Sequence, residues 1–395
     1  MTHYKSLIAL NLSVVLLMLG VGMTMALLPQ RIMDLSNSVS TVGYLACIFA
    51  VPYVLLQVPV GNLADKIGFK TLLTMGYVLC GLTGLLYYFA ETPTFLFLGR
   101  LLQGAGEVPV WTLAPALLSL QYPKIKGRVM GIYNACFHLG LAAGPLLGIL
   151  LVQVIGRTNT AFAFYAIVSF AGGLIIHLLV DHSNKEASEE RIDLKNILAL
   201  VTDRQSLVVL VGIALYGTGY GLGVTMIPAF LISVKGFDQA SMGWFFSLFY
   251  VAISLSQLVA GPLSDRRGRR GLMVWGMILA ALGLTLFPSL RQPWINGALM
   301  VVSLGLGVFY VSSIVYLNEK SSDSSKGTIS GAYYFFWGLG YFVGPLIAGR
   351  LGSFIDPSTS FHLLSGLLLI EAISLIVVGT RYSGKTPSCP ELRHK

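Results

Sequence analysis

Long apolar runs broken by short polar turns dominate this chain, and the runs have the length of a bilayer crossing. A helix spanning hydrocarbon about 30 Å thick needs around 20 mostly apolar residues at 1.5 Å of rise each. Twelve segments fit that requirement: residues 6–30, 40–61, 71–90, 95–121, 130–155, 160–180, 206–232, 240–262, 271–289, 294–318, 329–351 and 361–380. Every connection between them is short except residues 181–205, where Lys185, Glu186, Glu189, Glu190, Arg191, Asp193 and Lys195 gather. That stretch divides the spans six and six. It predicts a first six-helix bundle over 1–180, a linker over 181–205, a second six-helix bundle over 206–380 and a tail over 381–395. The expected fold is an all-α integral membrane protein of twelve transmembrane helices.

Composition agrees, because 55% of the 395 residues are hydrophobic and only 11% are charged, against about a quarter charged in a soluble domain. Too little charge is present to cover a water-facing surface. The 26 Lys and Arg against 17 Asp and Glu give a net charge of +9, and the positions of those charges decide what it means. Loops on the N-terminal side of the membrane, with both termini, hold 20 of the basic residues; the opposite loops hold five (Arg31, Arg157, Lys235, Arg291 and Arg350), and Arg100 lies within a span. An excess of Lys and Arg marks cytoplasmic loops. Both termini are therefore expected in the cytoplasm, and the charge reflects topology, with no nucleic-acid partner. The first apolar run is longer than a signal-peptide core and has no small-residue cleavage site, so it reads as a membrane helix.

Cys47, Cys80, Cys136 and Cys389 are scattered and form no disulfide framework or CxxC metal site. No His, Asp or Glu cluster has metal-ligand spacing, and no Walker-type phosphate loop is present. The chain is expected to be neither an enzyme nor an ATP-driven pump, and to need no cofactor. Its short loops suit a multi-pass monomer in a prokaryotic cytoplasmic membrane.

The halves repeat at an offset of 200. Residues 61–70, GNLADKIGFK, match 261–270, GPLSDRRGRR, and residues 127–148 align with 327–348, sharing Gly127/Gly327, Gly131/Gly331, Tyr133/Tyr333, Gly140/Gly340, Gly144/Gly344 and Pro145/Pro345. Parallel six-helix repeats about an axis along the membrane normal are a transporter architecture, enclosing a midplane site about which the halves rock.

Here the residues carry a family. Gly61, Asp65, Lys66, Gly68 and Lys70 resemble the loop 2–3 signature of the major facilitator superfamily, and Gly261, Asp265, Arg266, Gly268, Arg269 and Arg270 are similar to its second-half copy. Arg100-Leu-Leu-Gln-Gly104 resembles the RxxxG motif of span 4. Gly140, Gly144, Pro145 and Gly148 in span 5 resemble the motif of its proton antiporters, especially drug exporters. The resemblance implies two pseudo-symmetric bundles, proton antiport and efflux. In the family's fold spans 3, 6, 9 and 12 are peripheral.

Each motif also has a physical reading. In the loop signature, glycine permits a tight turn, and Asp65 suits the N-terminus of a neighbouring helix with Lys66 or Lys70 held nearby. Such a contact latches one face of the membrane shut; the bland alternative is a basic turn that only sets topology. Gly140, Gly144 and Gly148 share one helix face, so a partner backbone can approach closely.

A charge in hydrocarbon costs at least about 2.5–3.5 kcal/mol, so each intramembrane ionisable residue is a functional candidate. Arg100 and Glu107 lie seven residues apart in span 4, about 10.5 Å along the axis and within about 20° of one face. They fit one cavity, and Glu107 is the first candidate for proton coupling. Drug antiporters of the resembling family often carry an acid in span 1; this span 1 has none before Pro29, which moves weight to Glu107. Glu371 in span 12 and His138 in span 5 are further coupling candidates, each with a packing role as its alternative.

Candidate cargo contacts are Gln57 in span 2, Asn134 in span 5, Tyr216 and Tyr220 in span 7, Gln257 in span 8, and Tyr333 and Trp337 in span 11. Such rings bind apolar or cationic molecules by burial and cation–π attraction. Proton-coupled efflux of small amphiphiles by alternating access is the leading expectation. The alternatives are a proton-coupled importer of a small organic acid, sugar or siderophore-like metabolite, with Arg100 on an anionic group, and a non-transporting membrane sensor.

Overall fold

The computed structural model of the protein describes residues 2–36, 40–157, 159–181, 202–321, 325–354 and 357–380. Most of the predicted linker 181–205 and all of the tail 381–395 lie outside the described residues. What is described forms fourteen α-helices: α1 (Thr2–Ser36), α2 (Ser40–Leu55), α3 (Gln57–Ile67), α4 (Phe69–Tyr88), α5 (Pro93–Gln121), α6 (Lys126–Ile155), α7 (Asn159–Leu179), α8 (Arg204–Val224), α9 (Met226–Ser233), α10 (Gln239–Arg267), α11 (Arg269–Leu286), α12 (Trp294–Lys320), α13 (Lys326–Phe354) and α14 (Pro357–Thr380).

Among the described residues nine helices, counting α8–α9 as one, are long and apolar enough to cross a membrane. The α2–α3 pair, bent by 41°, makes a tenth. The helices α5 and α13 have 29 residues each but are less apolar. They carry Arg100, Gln103 and Glu107, and a run of Gly, Tyr and Trp, so the polar and small residues that build a cavity lower their hydropathy.

The repeat is visible in the packing. In the first half α1 lies along α6, and α4 touches α5 and α7; in the second half α8 lies along α13, and α11 touches α12 and α14. The halves meet where α3 runs against α13 and α6 against α10. Glycine permits both crossings. A Cβ added at Gly61 would collide with the Gly327 carbonyl oxygen, and one at Gly261 with the Gly127 carbonyl oxygen. One turn further in, Gly331 meets the backbone of Gln57 and Gly131 that of Gln257.

The loop signatures are more helical than the sequence suggests. Helix α3 continues to Ile67 and α10 to Arg267, beyond the expected ends at 61 and 262. Only Gly68 and Gly268 leave the helix, at φ +93° and +86°, a region an L side chain rarely enters. Gly61 and Gly261 are thus contact points between halves, not turn residues.

On the opposite face Arg31 donates to the Ala90 carbonyl at 2.9 Å, and Lys235 to the Leu290 carbonyl at 3.0 Å. The two acceptors are 200 residues apart, and each basic residue caps the end of a neighbouring helix, a favourable place for a cation.

Candidate functional site

Three groups decide what the molecule can do: two interlocks that close one end, and a cavity that opens toward the other. In the first interlock, Asp65 of α3 accepts hydrogen bonds from the Gly327 amide (2.9 Å), the Thr328 amide (2.8 Å) and the Thr328 hydroxyl (2.8 Å). In the second, Asp265 of α10 accepts from the Gly127 and Arg128 amides, both at 2.9 Å. Each carboxylate thus caps a helix of the opposite half, where the helix dipole favours a negative charge. Of the basic residues of the two signatures, Lys66 and Arg266 are exposed and Lys70 is half-buried, and Arg269 pairs with Asp265 at 2.8 Å and also with Glu319 of α12 at 2.8 Å.

Above this closed end lies a cavity of about 420 Å³ between the halves. Its wall runs from Trp111, Phe137 and Trp337 at mid-helix out to Met25, Cys47 and Leu346. The innermost of these rings stand about ten residues, or about 15 Å of helix, from the helix ends that carry the interlocks.

One stripe of α5 supplies the polar wall. The Arg100 guanidinium donates to the Leu45 carbonyl (3.2 Å) and the Gln103 amide oxygen (2.9 Å) and lies over the Phe49 ring, 5.0 Å from its centroid. Gln103 also accepts from the Tyr87 hydroxyl at 2.9 Å and donates to Glu107 Oε1 at 2.8 Å. Trp111 Nε1 donates to Glu107 Oε2 at 3.3 Å. Arg100 and Glu107 therefore share the cavity, as their spacing predicts, but a glutamine relays between them. Glu107 is 3% exposed, and both of its oxygens accept hydrogen bonds.

The remaining wall is apolar, rich in aromatic rings, and comes from both halves. Trp111 stacks on Trp337 with centroids 5.2 Å apart and planes at 26°, and Trp337 stacks on Tyr341 at 4.9 Å and 20°. Phe137 and Tyr53 meet the Trp111 ring edge-on.

Of the expected cargo contacts, Tyr220 and Trp337 line the cavity. Gln57, Asn134, Tyr216, Gln257 and Tyr333 do not. Gln57 is fully buried toward the closed end and accepts from the Thr112 hydroxyl. Asn134 turns back to the Met130 carbonyl (2.8 Å), and Tyr333 meets Ser313 (3.1 Å). A helix face can be read from spacing, whereas depth below a cavity floor cannot, because rings at the floor seal off what lies beneath. His138 sits behind the wall, with ring centroids 6.1 Å from Tyr220 and 6.2 Å from Tyr250 and its Nδ1 2.8 Å from the Asn134 carbonyl. Glu371 is away from the cavity, buried in the second half beside Gly212. The span 5 motif packs as expected, with Gly140 and Gly144 against the α1 backbone at Val15 and Leu19, and Gly148 against Met23.

Gln103 and Trp111 are absent from the sequence-based candidates. The spacing 100, 103, 107, 111 is a single helical stripe and carries the signal for both.

Halves related by repeat, a cavity shared between them and interlocked loop signatures describe one architecture, and the sequence profile of the Major Facilitator Superfamily matches residues 10–242 and 208–391. The chain belongs to the major facilitator superfamily. It is a membrane transporter, not an enzyme. Among relatives of this superfamily, a class H tetracycline resistance protein of Pasteurella multocida is 25% identical over 89% of this chain and 90% of its own. The proton-coupled antiporter flippase LtaA of Staphylococcus haemolyticus is 22% identical over 82% of each chain. The fold matches the crystal structure of the human organic anion transporter MFSD10, with a TM-score of 0.83, 17% identity, and coverage of 95% of this chain and 100% of that one.

Proposed function

We propose that this superfamily member is a proton-coupled exporter of small amphiphilic compounds, working by alternating access, with Glu107 as the coupling carboxylate. The observation that carries the reading is a buried acid on the wall of a largely apolar, ring-rich cavity shared by both halves. A carboxylate there holds either a proton or a cationic cargo, and the rings supply apolar burial and cation–π attraction. The tetracycline resistance and antiporter relatives support the same reading.

In this scheme twelve spans, split as 1–180 and 206–380, place both termini in the cytoplasm, in line with the distribution of basic residues. The chain acts as a monomer in a prokaryotic cytoplasmic membrane, exchanging protons for a small molecule. The interlocked loops then shut the cytoplasmic face, and the cavity faces outward.

The test uses everted vesicles, acidified inside, with lumenal pH followed as lipophilic cations, neutral drugs and organic acids are added. Compound-induced proton release in wild type and its loss in Glu107→Gln is the expected result. Release that survives the substitution moves the proton site elsewhere. A second reading, import of a small organic acid, is favoured by Arg100 on the cavity wall. Proton-driven uptake of such an acid into right-side-out vesicles, with no response in everted ones, would establish it in place of export.

A further inference from the structure

Trp111 touches both the buried acid and the opposite half. Its ring nitrogen donates to Glu107 Oε2, and its ring face stacks on Trp337 of α13. Its edge contacts reach Tyr334 of α13 and Tyr53 and Phe137 of the first half. The repeat has no second copy of this device: positions 307 and 311 are Gly and Val.

Glu107 accepts one N–H on each oxygen, an arrangement suited to a carboxylate. A proton taken from cavity water onto either oxygen removes the negative charge, so the N–H bond that oxygen accepts weakens from a charge-assisted one to a neutral one. Of the two donors, Gln103 is anchored by Arg100, Tyr87 and the shorter bond, 2.8 Å against 3.3 Å for Trp111. Trp111 is the contact that yields.

We propose that Trp111 is a positioning residue that carries the protonation of Glu107 to a ring contact between the two halves, its stack on Trp337. Protonation at Oε2 loosens the hold on the indole N–H, the ring turns out of its stack on Trp337, and the floor of the cavity loses one of its bridges between halves, Tyr53 keeping its own ring contact with Trp337. Deprotonation restores it. The titratable or charged neighbours that face Glu107 are Arg100 on α5, Tyr53 on α2, Cys80 and Tyr87 on α4, Tyr165 on α7 and Tyr341 on α13. Only Glu107 is both an acid and bonded to Trp111.

The proposal rests on Glu107 being the coupling carboxylate, and the experiment separates the two. Full-length protein in proteoliposomes is assayed for cargo accumulation driven by a pH gradient and for cargo exchange without one, using a lipophilic cation that wild type transports. Trp111→Phe keeps an aromatic ring and removes the N–H. It is expected to lower gradient-driven accumulation about tenfold, the effect of one hydrogen bond to a charged group, and to lower it further than it lowers exchange. In a variant whose exposed Trp244, Trp275 and Trp294 are changed to Phe, emission from Trp111 and Trp337 should shift with pH. That shift should disappear on adding Glu107→Gln. Benzothienylalanine at position 111, which has the indole shape and no N–H, should behave as Trp111→Phe does. Coupling retained in both 111 variants while Glu107→Gln abolishes it overturns the role of Trp111 alone; coupling retained in Glu107→Gln overturns the carboxylate assignment.

Discussion

At one junction between halves Asp65 caps α13, and at the other Asp265 caps α6, with the same backbone geometry to within about 0.1 Å. The third partner is what differs. Asp65 is closed by the Thr328 hydroxyl from the opposite half, whereas the corresponding position 128 is Arg and contributes its amide. Asp265 is closed by Arg269 of its own half, which runs on to Glu319. In the first half those two places hold Phe69, buried at 1% exposure, and Ser119. One interlock is therefore joined by a hydroxyl bond across the interface. The other is sealed by an ionic chain that braces α10, α11 and α12 from within. Repetition has preserved the capping and let its support diverge.

The largest expected effect is that of Asp65→Ala, which removes three bonds to a charged acceptor buried at the interface. Each is worth about 1.5–3 kcal/mol when taken singly. Transport should fall more than tenfold (about 1.4 kcal/mol per factor of ten), with cysteine reagents gaining access from the interlocked face. Asp265→Ala should do less to that access, because two donors of the helix it caps lose their acceptor and not three. Equal effects from the two substitutions would erase the distinction.

A smaller effect, of about 1 kcal/mol, is expected from either Arg269→Ala or Thr328→Val, and salt separates them. The Arg269–Glu319 pair is screened because Glu319 is 40% exposed, whereas a buried hydroxyl bond is not. The loss of melting temperature in Arg269→Ala should shrink between low and high salt, and that in Thr328→Val should stay constant.

The smallest effect belongs to Asp203, which caps α8 in the second half and has His3 as its first-half counterpart. Partial burial raises its proton affinity, but hydrogen bonds from Lys320 and Ser206 outweigh that and bring its pKa down to about 2. A depressed acid stabilises the fold above its ordinary value and loses that contribution as pH falls through about 2. Asp203→Asn should melt below wild type at pH 6, and the gap should close in strong acid.

The all-helical membrane character of the scaffold was legible from hydropathy, whereas the helix count was not, because a bend at Leu56 and a break at Thr225 divide apolar runs that read as single spans. The loop aspartates were also legible, since an acid beside a repeated glycine signals a helix cap. The companion cation was not, because Phe69 breaks the charge pattern in one copy and only folding brings Arg269 between Asp265 and Glu319. Within the cavity, Arg100 and Glu107 stood out by the cost of their charge. Trp111 did not, because an indole in an apolar helix has the same sequence signature whether it packs in lipid, in a core or on a buried acid. Its place on Trp337, 226 positions away, is a property of how two bundles meet.

The crossings at Gly61 with Gly327 and at Gly127 with Gly261 leave no room for even one methyl group. A methyl at any of these four sites acts as a doorstop, harmless while the halves stand apart at that face and obstructive only when they come together. Alanine there is thus a selective tool: it leaves each bundle intact and biases the whole population toward the state in which this face is open.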